Sequence, residues 1–257
     1  MRTFHLFGFG VSVACMAVGC MPIGKHIKES IPAPVLVGST DLLQLPHVTV
    51  DRKNQLVDIE AMVVMQSTLD GQWLELLACT ENGRTHESIL AVKARPSHIH
   101  YALLLVGSDP GTPMVWGIHH DHVKIEKHPS GTSIAISAIY QDENGKVVHV
   151  PVNQWVVNRY TNKPLADNIW LFTGSRFIES SGRRIYQADR DGTIVSLVHF
   201  GDDLLARPTE LTNRNDGEAW GAADGVIPPV GTLVTLRLRT ADLTLSLIHI
   251  CRCRRAI

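Results

Sequence analysis

Apolar residues return at every second position through most of residues 42–240, with turn-forming residues between the runs. A period of two puts successive side chains on opposite faces of an extended chain, so the pattern restricts this chain to a fold built from antiparallel strands. Residues 48–50 lead through Asp51, Arg52, Lys53 and Asn54 into residues 56–64, which reads as a hairpin. After Gly71, residues 74–78 and 88–92 read as a second pair. Further strands are expected at 123–125, 133–140, 146–150, 169–172, 185–188, 194–198 and 233–238, with 142–145 as a hairpin turn. Residues 154–157 fit either a short helix or a strand.

One segment breaks the pattern. Pro96 and Ser97 are helix-start residues, Ile99, Leu103 and Val106 fall on one helical face, and Gly107, Pro110 and Gly111 end the run. One main helix near 97–107 among many strands predicts an α+β domain, predominantly antiparallel β-sheet.

The two ends read differently from this middle. Arg2 precedes an apolar run from Leu6 to Val18 that closes on small residues before Cys20. The run falls short of the roughly 20 residues that a membrane helix needs, so it reads as a lipoprotein-type signal peptide over 1–19 with Cys20 as the lipid-attachment residue. Residues 20–41, with Pro22, Pro32 and Pro34, read as a tether, and 42–244 as a single β-rich domain. Residues 245–257 look like the translation of a sequencing adapter, a non-biological tail in which Arg and Cys cluster abruptly. The expected location is the cell envelope, lipid-anchored and periplasm-facing. Ala17 stands three positions before Cys20 where leucine is commoner, which keeps a soluble periplasmic product as the alternative.

Of 24 Lys and Arg residues, four (Arg2, Arg252, Arg254 and Arg255) lie in those end segments, which leaves 20 against 25 acids. A mildly acidic body offers no basic face for phosphates, so nucleic acid is not an expected partner. Of the five cysteines, Cys15 is in the leader, Cys20 would carry lipid, and Cys251 and Cys253 are in the tail. Cys79 alone remains, so no internal disulfide forms and stability must come from an apolar core.

The order of short motifs resembles the YdjY-domain family of exported bacterial proteins. The resemblance covers about Val48 to Leu238 and rests on residues 48–51, on Leu74, Glu75 and Cys79, and on 86–88. It continues through 99–104 with Gly107, 111–113, 154–156, Trp170, Gly174 with Ser175, 186–189, 227–229, and Gly231 with Thr232. It implies no assigned activity. A ferredoxin-like label is unsupported, because an iron–sulfur cluster takes about four thiolates and Cys79 stands alone.

Cys79, His86, Glu87 and His100 form a candidate metal set. Zinc takes N, S and O ligands tetrahedrally and, when catalytic, keeps a position open for water. A helical 97–107 weakens any His98–His100 chelate, since residues two apart on a helix diverge. The bland alternative makes Cys79 a small buried hydrophobe, His86 and Glu87 a strand-end cross-link, and His100 a hydrogen-bonded core residue. His119, His120 and His122 around Asp121 are a second cluster. Read as a strand, it places His120 and His122 on one side. Asp189, Arg190, Asp191 and Gly192 lack the later ligands of a calcium loop and read as a hairpin turn. No phosphate loop or dinucleotide fingerprint appears, so no nucleotide cofactor is expected. Trp155 and Trp170 are candidate ligand-binding aromatics for a groove.

The expectation is therefore a binding module of the cell envelope, engaging an unknown ligand or protein without catalysis. The alternative is a zinc-type enzyme centred on Cys79, His86, Glu87 and His100.

Overall fold

The computed structural model of the protein describes residues 35–36, 41–68, 72–214 and 219–241. The expected leader, Cys20, most of the expected tether and the expected tail lie outside the described residues. The described part begins with an antiparallel meander of β1 (Leu42–Leu45), β2 (Val48–Asp51) and β3 (Leu56–Val63). Val35–Leu36 pairs with β1. Then follow β4 (Leu76–Thr80), β5 (Ser88–Val92), α1 (Pro96–Leu105), β6 (Ser133–Gln141) and β7 (Val147–Pro151). Farther along, among shorter strands, lie β8 (Trp170–Phe172), α2 (Gln187–Asp191), β9 (Thr193–Ser196), β10 (Leu205–Ala206) and β11 (Leu233–Thr240).

Eight of these strands close a ring. Going round, β3 pairs with β11, then β6, β8, β10, β9, β4 and β5, and β5 returns to β3. Closure satisfies the backbone hydrogen-bonding edges that an open sheet would present to water. The interior is filled by one set of alternating side chains: Val57, Ile59, Ala61 and Val63 of β3, Ile134, Ile136 and Ala138 of β6, and Val234, Leu236 and Leu238 of β11. The opposite set faces outward, and there Arg237 donates Nε and Nη2 to Asp58 at 2.7 Å each.

The expected antiparallel pair of 74–78 and 88–92 is corrected. β4 and β5 are parallel, as are β9 and β10, so the barrel is mixed and the protein is mostly β, fitting the α+β description only loosely. β5 is buried along its whole length and β4 over all but Thr80. Strands covered on both faces are where parallel pairing occurs, and a continuous apolar run carries no direction signal.

The expected helix is α1, lying against β2 and β3 with Ile99, Ala102 and Leu103 buried. Its first turn is held by α2, which the sequence pattern missed. Asp189 accepts from the Ser97 backbone N–H and hydroxyl at 2.7 Å each and from Arg95 Nη2 at 3.2 Å. Gly192, at φ +75°, ends α2, so the turn expected there is a helix end rather than a hairpin. The hairpin of β6 and β7 forms around 142–146 as expected, with the Asp142 carboxylate accepting from the Asn144 and Lys146 N–H groups. Gly131, at φ +140°, passes so close to the Phe172 carbonyl that any Cβ there would collide with it.

Candidate functional site

The four residues expected to gather round a metal do not gather. Cys79 is fully buried in β4, and burial pushes its thiol up to about 11. His86 lies on the 3-10 turn Thr85–Glu87 with its ring open to water. Glu87 faces Arg84, Nε to Oε1 3.6 Å, and crowds Glu75, whose carboxyl is pushed up to about 7 by burial and by the charge of Glu87. His100 belongs to another neighbourhood on α1. Among the described residues no three His, Cys, Asp or Glu side chains come together as a metal-holding group. Trp155 and Trp170 are likewise core residues, 1% and 0% exposed, so neither lines a surface groove. Large aromatic area favours that fate. The Trp170 indole N–H donates to Asn168 Oδ1 at 3.1 Å.

What the fold does assemble is His100, Phe172, Gly174, Ser175 and Tyr186. His100 Nδ1 and the Tyr186 hydroxyl oxygen are 2.9 Å apart, and that hydroxyl donates to the Gly174 carbonyl at 2.9 Å. With the phenol proton committed to Gly174, His100 Nδ1–H is the donor to Tyr186, which leaves Nε2 as the ring's lone-pair acceptor. Burial lowers the His100 pKa, and burial followed by Asp189 raises that of Tyr186, so both are neutral near pH 7. The imidazole stands edge-on to Phe172 at 4.9 Å. Gly174, at φ +79°, has no room for a side chain because a Cβ would lie 2.7 Å from that of Pro110. Ser175, at φ +53°, accepts from the Ala188 N–H at 3.2 Å. Tyr186→Phe removes both bonds at once. It is expected to cost about 1–3 kcal/mol in urea unfolding; an unchanged midpoint would contradict the arrangement.

A second cluster went unread in the sequence. Asp202 and Asp203 are buried in the loop between β9 and β10. Asp203 accepts from the Phe200 and Gly201 N–H groups and lies 3.6 Å from His199 Nδ1. Asp202 accepts from the Thr193 hydroxyl at 3.1 Å, and burial, Asp203 and Asp191 push its carboxyl up to about 7. The available signal was two adjacent acids set between the apolar stretches 194–198 and 204–206.

The third feature lies on the outer wall of the barrel. Leu233 of β11 stands opposite Met62, Ile139 opposite Thr235 and His149, and Gln141 opposite Val147. Two adjoining depressions of about 620 and about 470 Å³ share Tyr140, Gln141 and Thr232. Pro228, Pro229 and Val226 form one bank. Leu233 and Val147 are 76% and 62% exposed, and the charged lining residues are all acidic: Glu60, Asp142 and Glu143.

The YdjY domain family matches residues 48–239. This chain belongs to that family. No curated protein and no solved structure matches it. The match spans the whole barrel of this YdjY domain, from β2 to β11. Three of the motifs that carry the resemblance, at 99–104, at Gly174 with Ser175 and at 186–189, meet around His100 and Tyr186. The motif at 227–229 forms the bank of the outer groove.

Proposed function

We propose that this YdjY domain is a lipid-anchored module of the cell envelope that binds a partner through its outer groove and does not transform it. The observation that carries the reading is the pair of exposed apolar side chains Leu233 and Val147, set with the half-buried Ile139 beside Tyr140 and Pro229. An apolar depression of this size on a rigid sheet, rimmed by polar groups, is the usual form of a ligand or partner site. Because the rim is acidic, the occupant is an apolar segment flanked by Lys or Arg. The export and anchoring parts of the reading rest on the leader and Cys20.

Two experiments test it. Peptides selected from a random library on the untagged domain are expected to combine apolar residues with Lys or Arg. They are expected to lose at least about tenfold in affinity, about 1.4 kcal/mol, for Val147→Asp/Leu233→Asp. Selected peptides that bind the double variant equally well would exclude the groove. For the anchor, a palmitate analogue is expected to label the wild type and not Cys20→Ser; label retained in the variant, or absent from both, refutes anchoring at Cys20.

A further inference from the structure

The hairpin of Val115–His119 and His122–Lys127 carries chemistry that the outer groove does not use. Counted as one continuous strand, the run His119, His120, Asp121 and His122 puts His120 and His122 on a common side. The chain instead turns at His120 and Asp121, both in the left-handed region at φ 48° and 63°. Two successive left-handed residues make the turn type whose twist matches a two-residue hairpin. The consequence is a different pair, because His119 and His122 are now directly opposed across the two strands.

Directly opposed residues on an antiparallel ladder share a face, with Cβ atoms about 5 Å apart. Each imidazole extends beyond its Cβ, and a metal–imidazole bond is about 2.1 Å. Two such rings therefore reach a single ion between them without movement of the backbone. The His120 ring lies 5.5 Å from that of His119, centroid to centroid, and all four residues of the tip are exposed to water. The tight turn holds the two strand histidines in register before any ion arrives, which lowers the ordering cost of binding.

We propose that this hairpin tip is a binding site for a divalent transition-metal ion, chelated by His119 and His122. Imidazole nitrogen suits copper, nickel and zinc, and copper(II) binds most tightly in that series. Two protein nitrogens leave the remaining coordination positions to water or to a third donor. The site is thus one for exchangeable capture rather than a closed structural centre. Its ligands must be unprotonated, so acidification releases the ion. The site is separate from the groove, and either can fail without the other.

The test is calorimetric titration of the untagged protein with copper(II), near neutral pH in a weakly coordinating buffer. The variants are His119→Asn, His122→Asn, both together, and His86→Asn as an exposed histidine outside the hairpin. One strong site per chain is expected. Loss of an outer-shell partner alone costs a metal site at least about tenfold, so loss of either ligand is expected to cost no less. The double variant should be little worse than either single one, since the chelate is already broken by the first substitution. His86→Asn should bind as the wild type does. Equal binding by wild type and both single variants, or small additive losses matched by His86→Asn, would overturn the proposal in favour of independent surface imidazoles. The substitutions are on exposed side chains, and unchanged thermal midpoints for all four variants verify that folding is not what is being read.

Discussion

Asp202→Asn is expected to stabilise the domain at pH 8 by about 3 kcal/mol, from a shift of roughly three pKa units discounted for its coupling to neighbouring acids. The carboxyl of Asp202 stands at about 7 in the fold against an ordinary 3.8, so the fold favours its neutral form. A group raised in this way contributes stability that is complete below its unfolded pKa and is lost as pH rises through about 7. At pH 8 the ionised carboxylate is buried beside Asp203 and Asp191. An asparagine there still meets the Thr193 hydroxyl and carries no charge beside Asp191 and Asp203. Glu75→Gln acts in the same sense against Glu87, because Glu75 is also raised to about 7. The wild type is therefore expected to lose stability between about pH 4 and pH 7. For a domain of this size, about 3 kcal/mol corresponds to a rise of roughly 6–12 °C in melting midpoint for the variant at pH 8. Little difference is expected at pH 4. Identical pH profiles for wild type and Asp202→Asn would show that Asp202 is ionised without penalty.

The second large effect is at Trp170. Its stave, β8, is three residues long and meets each neighbour through only two residue pairs, Ser133 and Ile134 on one side and Leu205 and Ala206 on the other. Side chains must therefore hold the seam. Trp170 fills the core, donates to Asn168, and lies under the Arg207 guanidinium at 5.5 Å from the ring centroid. Asn168 in turn donates to the Ile136 carbonyl at 2.6 Å, and Arg207 Nη1 donates to the Ile169 carbonyl at 2.7 Å. Trp170→Ala is expected to cost about 3–5 kcal/mol. Trp170→Phe keeps the ring and loses the N–H bond, at about 1–2 kcal/mol. Urea unfolding distinguishes them. A Trp170→Ala midpoint within experimental error of wild type would mean that the seam closes through its backbone pairs alone.

This difference between a well-marked strand and a short stave explains much of what could be read in advance. β3, β6 and β11 are eight, nine and eight residues long with one buried face each, and their alternation announces them. α1 announces itself through Pro96 and its apolar face. β8 and β10 are three and two residues long, so although 169–172 reads as a strand, runs this short carry no sign of their places in the ring. The candidate site suffered similarly. His100 stood out as a histidine in a family motif, but its partner Tyr186 is 86 positions away, and no spacing rule links them. His86 and Glu87 drew notice as metal-competent types, yet a ligand set is defined by convergence, which spacing leaves open. The histidine run at 119–122 was visible as chemistry; the pair that faces each other depends on where the chain turns.

Taken alone, the sequence determined that the body is strand-built, that one main helix interrupts it, that a single cysteine, Cys79, lies between residues 42 and 244, and that it resembles the YdjY family. These properties reside in local periodicity and composition, which successive residues carry among themselves. Tertiary structure alone decided that the sheet closes into a mixed eight-stranded barrel, that β4 and β5 run parallel, and that Trp155 and Trp170 lie inside. It also decided that Glu75 and Asp202 are buried beside other carboxylates. Strand direction, barrel closure and the charge state of a buried acid depend on which distant segments become neighbours, and an apolar run pairs equally well, residue by residue, with several of them.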